Sequence, residues 1–151
     1  MTVLLDTNVL TRSAQPGHPM HQDALDALRL LKIANEELCV VPQNLVEFWA
    51  VATRPTSANG LEMTTAQAQT ELRTIRSFFR LLPDNPAIHD EWEQLVAAHS
   101  VAGKNTYDAR IVAAMKVHGV SHLLTFNESD FKRYRDISVM TPPSVVHSYP
   151  A

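Results

Sequence analysis

Short apolar runs that do not alternate with polar residues are the feature that most constrains the fold of this 151-residue chain. Residues 2–5 and 38–41 are runs of this kind, which are typical of strands whose two faces are both covered by helices. Further strands are predicted at residues 81–82, 120–125 and 137–140. The alternation of strand and helix predicts an α/β fold in three layers, with a central, mostly parallel sheet of four to five strands flanked by helices.

Capping residues and apolar spacing place the helices between these strands. No internal repeat or change of composition divides the chain, so one domain over residues 1–151 is expected. The residues from 142 onward, which open with two prolines, are expected to form a tail. The predicted helices cover about residues 6–10, 19–35, 43–53, 64–79, 86–99 and 106–119.

Composition limits the class of protein. Hydrophobic residues make up 45% of the chain and the apolar runs are too short to cross a bilayer, so no membrane segment is expected. The N-terminus lacks a basic stretch followed by an apolar segment, and Cys39 is the only cysteine. Neither secretion nor a disulfide is therefore expected, and a cytoplasmic location follows as the default.

The net charge of −3 argues weakly against a nucleic-acid partner, because the chain has no large excess of basic residues. An acid-rich site would itself lower the net charge, while local cations could still contact phosphates. Seven cations are therefore either phosphate contacts or solvated surface charges: Arg12, Arg54, Lys104, Arg110, Lys132, Arg133 and Arg135.

Asp108 carries the strongest signal for a site. At 100° per residue it projects on the same helix face as Ile111 and Met115, which should meet the core, while Arg110 and Val117 project away. A buried, unpaired charge is costly, so this carboxylate must be hydrogen-bonded, ion-paired, metal-bound or placed at a wet cleft. The alternative is that Asp108 only stabilises the positive end of its helix.

Two further carboxylates are candidates for the same place. Asp6 directly follows the first strand, where it is either an N-cap or a ligand at the carboxyl edge of the sheet. Glu47 lies on the polar side of its helix and faces water, either in bulk or in a cleft. Converging carboxylates repel one another unless a cation holds them, and a site of oxygen donors indicates Mg²⁺ or Mn²⁺ rather than Zn²⁺.

Other catalytic motifs are absent. His18 with His21, and His118 with His122, have no further ligand pair nearby, so surface or capping roles are expected for them. The chain has no G-x-S-x-G elbow and no glycine-rich phosphate loop. Cys39 lies within an apolar strand and is expected to be inert core.

Four segments together resemble the PIN-domain proteins, and among them the VapC-type toxins. The match follows the right order along nearly the whole chain, and only the helix-rich middle, about residues 56–100, carries no motif. The four segments are DTN (6–8), PQNLVEF (42–48), YDARIVAA (107–114) and LTFNESDF (124–131).

This resemblance implies a metal-dependent ribonuclease in which Asp6, Glu47 and Asp108 form the catalytic, metal-binding cluster. Mg²⁺ or Mn²⁺, held chiefly by Asp6 and Asp108, would activate a water for attack on an RNA phosphodiester, and Glu47 would orient that water. Thr7 supports the cluster through its hydroxyl, and Asn8 orders the surrounding loops. The supporting residues are Thr7, Asn8, Thr125, Asn127 and Asp130.

The sequence departs from the family pattern at the far end of the site. Many relatives have a fourth acid where this chain has Asn127, and Asp130 follows three residues later. Asn127 could still bind metal through its carbonyl or through water. Asp130 either joins the site or only caps the next turn.

The resemblance also implies partners. It suggests products with a 5′-phosphate and a 3′-hydroxyl, and a small VapB-like antitoxin that blocks the site. A homodimer that joins two sites along one basic groove is expected as well.

Two other functions remain open from the residues. One is a non-catalytic PIN-like module that binds RNA or protein. The other is a phosphatase-type α/β domain, which would use an Asp after the first strand as nucleophile but typically has a second Asp two residues later, where this chain has Asn8.

Overall fold

The computed structural model describes residues 1–151 and has a central sheet of five short strands. Every neighbouring pair is parallel, in the spatial order β3-β2-β1-β4-β5. The predicted α/β fold is confirmed, with five strands and no antiparallel pair. The strands are β1 (Thr2–Leu5), β2 (Glu37–Val40), β3 (Arg80–Leu81), β4 (His122–Leu124) and β5 (Ser138–Met140).

Seven α-helices surround the sheet, and the six predicted helices agree with the first six of them to within about three residues at the ends. None of the helices is long and apolar enough to cross a membrane. Two short 3₁₀ turns occupy Thr56–Ala58 and Glu128–Phe131. The helices are α1 (Thr7–Ser13), α2 (His21–Ile33), α3 (Pro42–Thr53), α4 (Thr65–Phe78), α5 (Pro86–Ala98), α6 (Asn105–His118) and α7 (Pro142–Ser148).

The prediction of a tail after residue 142 is wrong, because these residues form α7. Its two prolines occupy the first turn, where a missing N–H costs nothing. The Thr141 hydroxyl caps the helix by accepting a hydrogen bond from the Ser144 N–H at 3.3 Å. Val145 is buried against the sheet layer, so the helix closes one face of the core.

Both faces of the sheet are buried, as the apolar runs predicted. Leu4 of β1 belongs to one core with α5 and α6, whereas Val3 and Leu5 belong to a second core with α1, α2, α3, α4 and α7. Successive strand residues therefore serve opposite cores. Because both faces of the sheet are buried, a polar site can form only at the ends of the strands.

The strand order fixes where such chemistry is placed. From the central strand β1 the chain moves to β2 and β3 on one side and then crosses to β4 and β5 on the other. The carboxyl ends of β1 and β4 lie side by side, and the Asp6 N–H donates to the Leu124 carbonyl at 2.9 Å. Connections diverge at this point and open a crevice, as in other doubly wound sheets.

The loop that follows α3, residues 54–64, lies beside this crevice and is tightly packed. Asn59 and Glu62 both have positive φ, at 59° and 55°. Gly60 is buried between them, and a β-carbon at this position would lie only 2.1 Å from the Arg54 carbonyl oxygen. The loop therefore requires glycine at residue 60 for space.

Gly60→Ala should lower the free energy of unfolding by about 1–3 kcal/mol, because backbone atoms cannot move aside as a flexible side chain could. Gly17→Ala is the matched control, since a β-carbon there meets nothing within 4 Å. Urea unfolding of the two variants measures the difference. Equal stabilities would contradict the close packing of this loop.

Candidate active site

Asp6 lies at the carboxyl end of β1 and also caps α1. Its Oδ1 accepts a hydrogen bond from the Thr7 N–H at 2.8 Å, and its Oδ2 accepts one from the Thr125 hydroxyl at 2.7 Å. The residue is only 7% exposed, and this burial raises the pKa of its carboxyl to about 6 despite the two hydrogen bonds, which favour the ionised form. Asp6 is thus an N-cap that is also a buried acid.

Thr125 connects the two strand ends behind the acid. It is fully buried, and while its hydroxyl donates to Asp6 it accepts from the Asn127 N–H at 3.0 Å and from the Asn8 Nδ2 at 3.2 Å. The other end of the Asn8 amide accepts from the Phe126 N–H at 3.2 Å. The Asn8 side chain therefore ties α1 to the loop that follows β4.

Glu47 reaches the same place from α3. The Thr7 hydroxyl donates to Glu47 Oε1 at 2.7 Å and accepts from the Asn44 Nδ2 at 3.2 Å. Asn44 is fully buried, and its Oδ1 accepts from the Val41 N–H at 2.8 Å. Asn44 thus joins the start of α3 to Thr7. Sequence reasoning missed this role, although an amide three residues after the N-cap is a known capping signal.

Gln43 is a second residue that sequence reasoning missed. Its Nε2 donates to Glu47 Oε2 at 3.1 Å and to the Tyr107 carbonyl at 2.9 Å, so it bridges α3 and α6. Its Oε1 accepts from Arg110 at 3.2 Å, and Arg110 also pairs with Asp84 at 3.5 Å. No motif identifies this bridge, because Tyr107 and Arg110 are 64 and 67 residues away from Gln43 in sequence.

Asp108 lies in the first turn of α6 and is half-buried, above the buried Ile111 and Met115. Burial is the largest cause that raises the pKa of its carboxyl to about 7. The negative charges of Asp6, Asp130 and Glu47 raise it further, and Lys104 opposes them. The expectation that Val117 projects away from the core is wrong, because α6 is enclosed on most sides and Val117 packs against the core.

One open cleft of about 540 Å³ brings most of the predicted residues together. Thr125 is the exception, because it is buried behind the wall. Three of the seven candidate cations, Arg12, Arg54 and Lys104, also line the cleft. The predicted residues that face it are Asp6, Thr7, Asn8, Glu47, Asp108, Asn127 and Asp130.

Asn127 and Asp130 occupy the far wall of the cleft and differ in their charge. Asn127 is held through its backbone N–H, and its side chain makes no hydrogen bond. The Asp130 carboxylate makes none either, so it does not cap the 3₁₀ turn that contains it. Its charge instead raises the pKa of Asp6 and of Asp108. Asp130 is therefore the fourth negative charge of the cleft.

The side chains of the cleft supply oxygen ligands, the type that hard divalent cations such as Mg²⁺ prefer. The side chains facing the cleft offer carboxylate, amide and hydroxyl oxygens. The charges of Glu47 and Asp130 raise the pKa of Asp6 and of Asp108, and a cation would relieve this repulsion. No three His, Cys, Asp or Glu side chains lie close enough to hold a metal ion directly. Mg²⁺ keeps several waters and needs only one or two carboxylates, so this spacing is compatible with its binding.

The remaining candidates lie elsewhere. His18 Nδ1 accepts from the Met20 N–H at 3.0 Å, and His118 Nε2 lies 2.8 Å from the Pro83 carbonyl oxygen. Cys39 is buried without a disulfide, and burial raises the pKa of its thiol to about 12. These groups do not enter the cleft.

The family of the chain follows from comparison with known proteins. The PIN domain family model matches residues 3–137, which confirms the resemblance seen in the sequence. The chain belongs to the PIN-domain family. No curated protein sequence matches it significantly.

Solved structures with the same fold include toxin-antitoxin proteins. One is VapBC2 from Rickettsia felis, whose structure was solved bound to a DNA fragment from the VapBC2 promoter. A chain of it superposes with a TM-score of 0.69 at 16% identity, over 93% of this chain and 98% of that one. A toxin-antitoxin complex from Klebsiella pneumoniae gives 0.64 at 20% identity, over 93% and 97%. VapC20 from Mycobacterium tuberculosis, a sarcin-ricin loop cleaving toxin, gives 0.66 at 15%, over 87% and 95%. At these identities the likeness is one of fold.

Asp108→Asn should make the stability of the protein less sensitive to pH. The pKa of the carboxyl is 3.8 in its ordinary state and about 7 in the fold, so the folded state holds the proton more tightly. The stability that this proton provides is present below pH about 4 and is lost as the pH rises through about 7. The variant should therefore gain stability over wild type across this range, and the gain should level off above it.

Urea unfolding in EDTA at several pH values measures this gain. Asp90→Asn is the matched control, because Asp90 is exposed and makes no ion pair. A gain equal to that of the control would show that Asp108 does not titrate as described.

Proposed function

We propose that this chain is a divalent-metal-dependent endoribonuclease and the toxin of a VapBC-type toxin-antitoxin pair. The observation that carries the proposal is the meeting of Asp6 and Asp108, which are far apart in the sequence, in one cleft of a PIN fold. VapC20, which shares the fold, is described as a toxin that cleaves the sarcin-ricin loop. RNA is accordingly the proposed substrate.

Asp6, Asp108 and Glu47 are the residues proposed to hold Mg²⁺ or Mn²⁺. Such an ion supplies Lewis acidity and positive charge at the phosphodiester when bound. Thr125 and the Thr7 N–H fix the orientation of the Asp6 carboxylate before any ion arrives. The protein thus provides rigid donors, which reduces the reorganisation that the reaction needs.

Glu47 is proposed to orient the attacking water. Thr7 holds one of its carboxylate oxygens and Gln43 the other, yet a carboxylate has about four acceptor sites, so each oxygen can still accept from water. Around the rim, Arg12, Arg54 and Lys104 place positive charge where an RNA backbone would enter. Attack of the water on phosphorus, with cleavage of the P–O3′ bond and protonation of the departing 3′ oxygen, would leave a 5′-phosphate and a 3′-hydroxyl.

A small VapB-like antitoxin is the proposed protein partner. The Rickettsia structure is named VapBC2 and the Klebsiella structure is a toxin-antitoxin complex, and both share the fold of this chain. The antitoxin would block the cleft. A homodimer with its two clefts along one groove is proposed as the active assembly, located in the cytoplasm.

Asp6→Asn and Asp108→Asn should each lower RNA cleavage in Mg²⁺ or Mn²⁺ by about a thousandfold or more, because each removes a charge from the cluster while keeping its shape. Gel analysis of RNA products with Mn²⁺ and with EDTA measures the loss. Asp108→Asn should unfold at a temperature no lower than wild type, and Asp6→Asn, which keeps only one of the two accepted hydrogen bonds, should still be folded at the assay temperature. Asp90→Asn, an exposed substitution outside the cleft, should cleave like wild type.

Retained cleavage in both variants would contradict the proposed roles of the two acids. If the wild-type protein binds RNA equally in EDTA and Mg²⁺ and never cuts it, the chain is instead a non-catalytic binding module. Growth arrest on expression, relieved by an adjacent small reading frame, would separate a toxin from a housekeeping nuclease.

Asp130→Asn should impair cleavage more than Asn127→Ala. Asp130 contributes its charge to the cleft, whereas Asn127 is anchored through its backbone, which the alanine variant keeps. We expect a loss of about tenfold or more for Asp130→Asn and a smaller one for Asn127→Ala. Rates measured across a Mn²⁺ titration test this order, and the reverse order would place the fourth ligand at Asn127.

A further inference from the structure

A second cavity, of about 630 Å³, is lined in part by the C-terminal end of α6, whereas the first turn of that helix lines the cleft, and it carries mostly positive charge. It is formed by the ends of α5 and α6 and by residues 132–136, which connect the second 3₁₀ turn to β5. We call it the basic cavity. Its lining residues are His99, Lys116, Lys132, Arg133, Arg135 and Asp136.

Three of these cations have no partner within the protein. Lys132, Arg133 and Arg135 are exposed, and none of them takes part in an ion pair or a side-chain hydrogen bond. The acid of the cavity, Asp136, is already matched by Lys116 at 2.7 Å. The basic cavity therefore has a net positive charge that a negatively charged ligand could neutralise, although the chain as a whole has a charge of −3.

The cations are carried by a backbone that is anchored from inside. Phe131 and Tyr134 are buried in the core on either side of Lys132 and Arg133. The Tyr134 ring also meets the His99 ring edge-on at a centroid distance of 5.1 Å, which fixes the wall of the cavity. A fixed display of charge loses less entropy on binding than a mobile one.

The basic cavity is close to the cleft along the chain. Asp130 lines the cleft and Lys132 lines the basic cavity, so at most about 7 Å of backbone separates the two walls. RNA that leaves the cleft on the side of Asp130 would therefore come near the three unpaired cations. A positively charged surface next to a cleft is suited to the phosphate backbone of a single strand.

We propose that the basic cavity binds the phosphodiester backbone of single-stranded RNA beyond the nucleotides held in the cleft. This assignment rests on the proposed ribonuclease function, since that function puts RNA at the neighbouring site. Lys132, Arg133 and Arg135 contact phosphates there and carry no preference among bases.

The test compares two triple variants with the same change of net charge. One is Lys132→Gln, Arg133→Gln, Arg135→Gln, and the matched control is Arg29→Gln, Arg73→Gln, Arg76→Gln on the exposed surfaces of α2 and α4. Fluorescence anisotropy measures binding of a labelled oligouridylate of about 20 nucleotides in EDTA, across a range of salt. Losing three phosphate contacts should flatten the slope of log K against log salt by about 2, and the control should keep the wild-type slope.

Cleavage adds a second readout. On the long RNA, the first triple variant should have a kcat/KM about tenfold lower than wild type, because its KM rises while its kcat is unchanged. On an oligonucleotide of about four nucleotides, which fills only the cleft, it should match wild type. If wild type does not cleave, the ribonuclease proposal fails while the salt slopes still report on the basic cavity. Equal slopes for both triple variants overturn the assignment. Competition by polyglutamate as strong as that by RNA also overturns it, because the cavity would then suit an acidic polypeptide.

Discussion

The rest of the site depends on the burial of one carboxylate at the end of the central strand. An ionised group that loses its water must find hydrogen bonds inside the protein, and Asp6 finds them in the Thr7 N–H and the Thr125 hydroxyl. These bonds do not fully compensate for burial, because the pKa of the Asp6 carboxyl stays raised. The fold therefore fixes the position of the Asp6 carboxylate without fully stabilising its charge, as is expected of a group in a ligand-binding site.

Polar side chains behind the acids act as a frame. Thr125 and Asn8 join the ends of β1 and β4, while Asn44 and Gln43 connect α3 to α1 and α6. No buried side-chain nitrogen or oxygen lacks a hydrogen-bond partner. The frame is thus complete, and the unfavourable energy of the site comes first from the burial of Asp6 and Asp108 and then from the repulsion among the carboxylates. A cation that binds only the folded protein would convert that repulsion into stability.

The sheet, and the placement of Asp6 and Asp108 at one cleft, could be predicted because both depend on local signals. Short apolar runs indicated strands buried on two faces, and Asp6 was found because a polar residue directly follows such a run. The helical spacing of Asp108 with Ile111 and Met115 correctly placed Asp108 on a core-facing side of α6. Because α6 is buried on nearly all sides, however, this spacing separates buried from exposed positions less clearly than in a surface helix. The contacts of Gln43 with Tyr107 and of Asn44 with Thr7 could not be assigned, since these partners are distant in sequence. The basic cavity joins α5, α6 and a loop, and only the packing of these segments shows it.

The central position of β1 also decides when the site can exist during synthesis. Asp6 is made among the first residues, but its hydrogen-bond partner Thr125 is 119 residues later. A domain generally folds as a unit, and contacts between residues this far apart in sequence form slowly. A growing chain that has not yet reached β4 has an acid without its hydroxyl partner and lacks Asp130. The cleft is therefore among the last parts of the molecule to be assembled, and no shortened chain that ends before β4 can contain it.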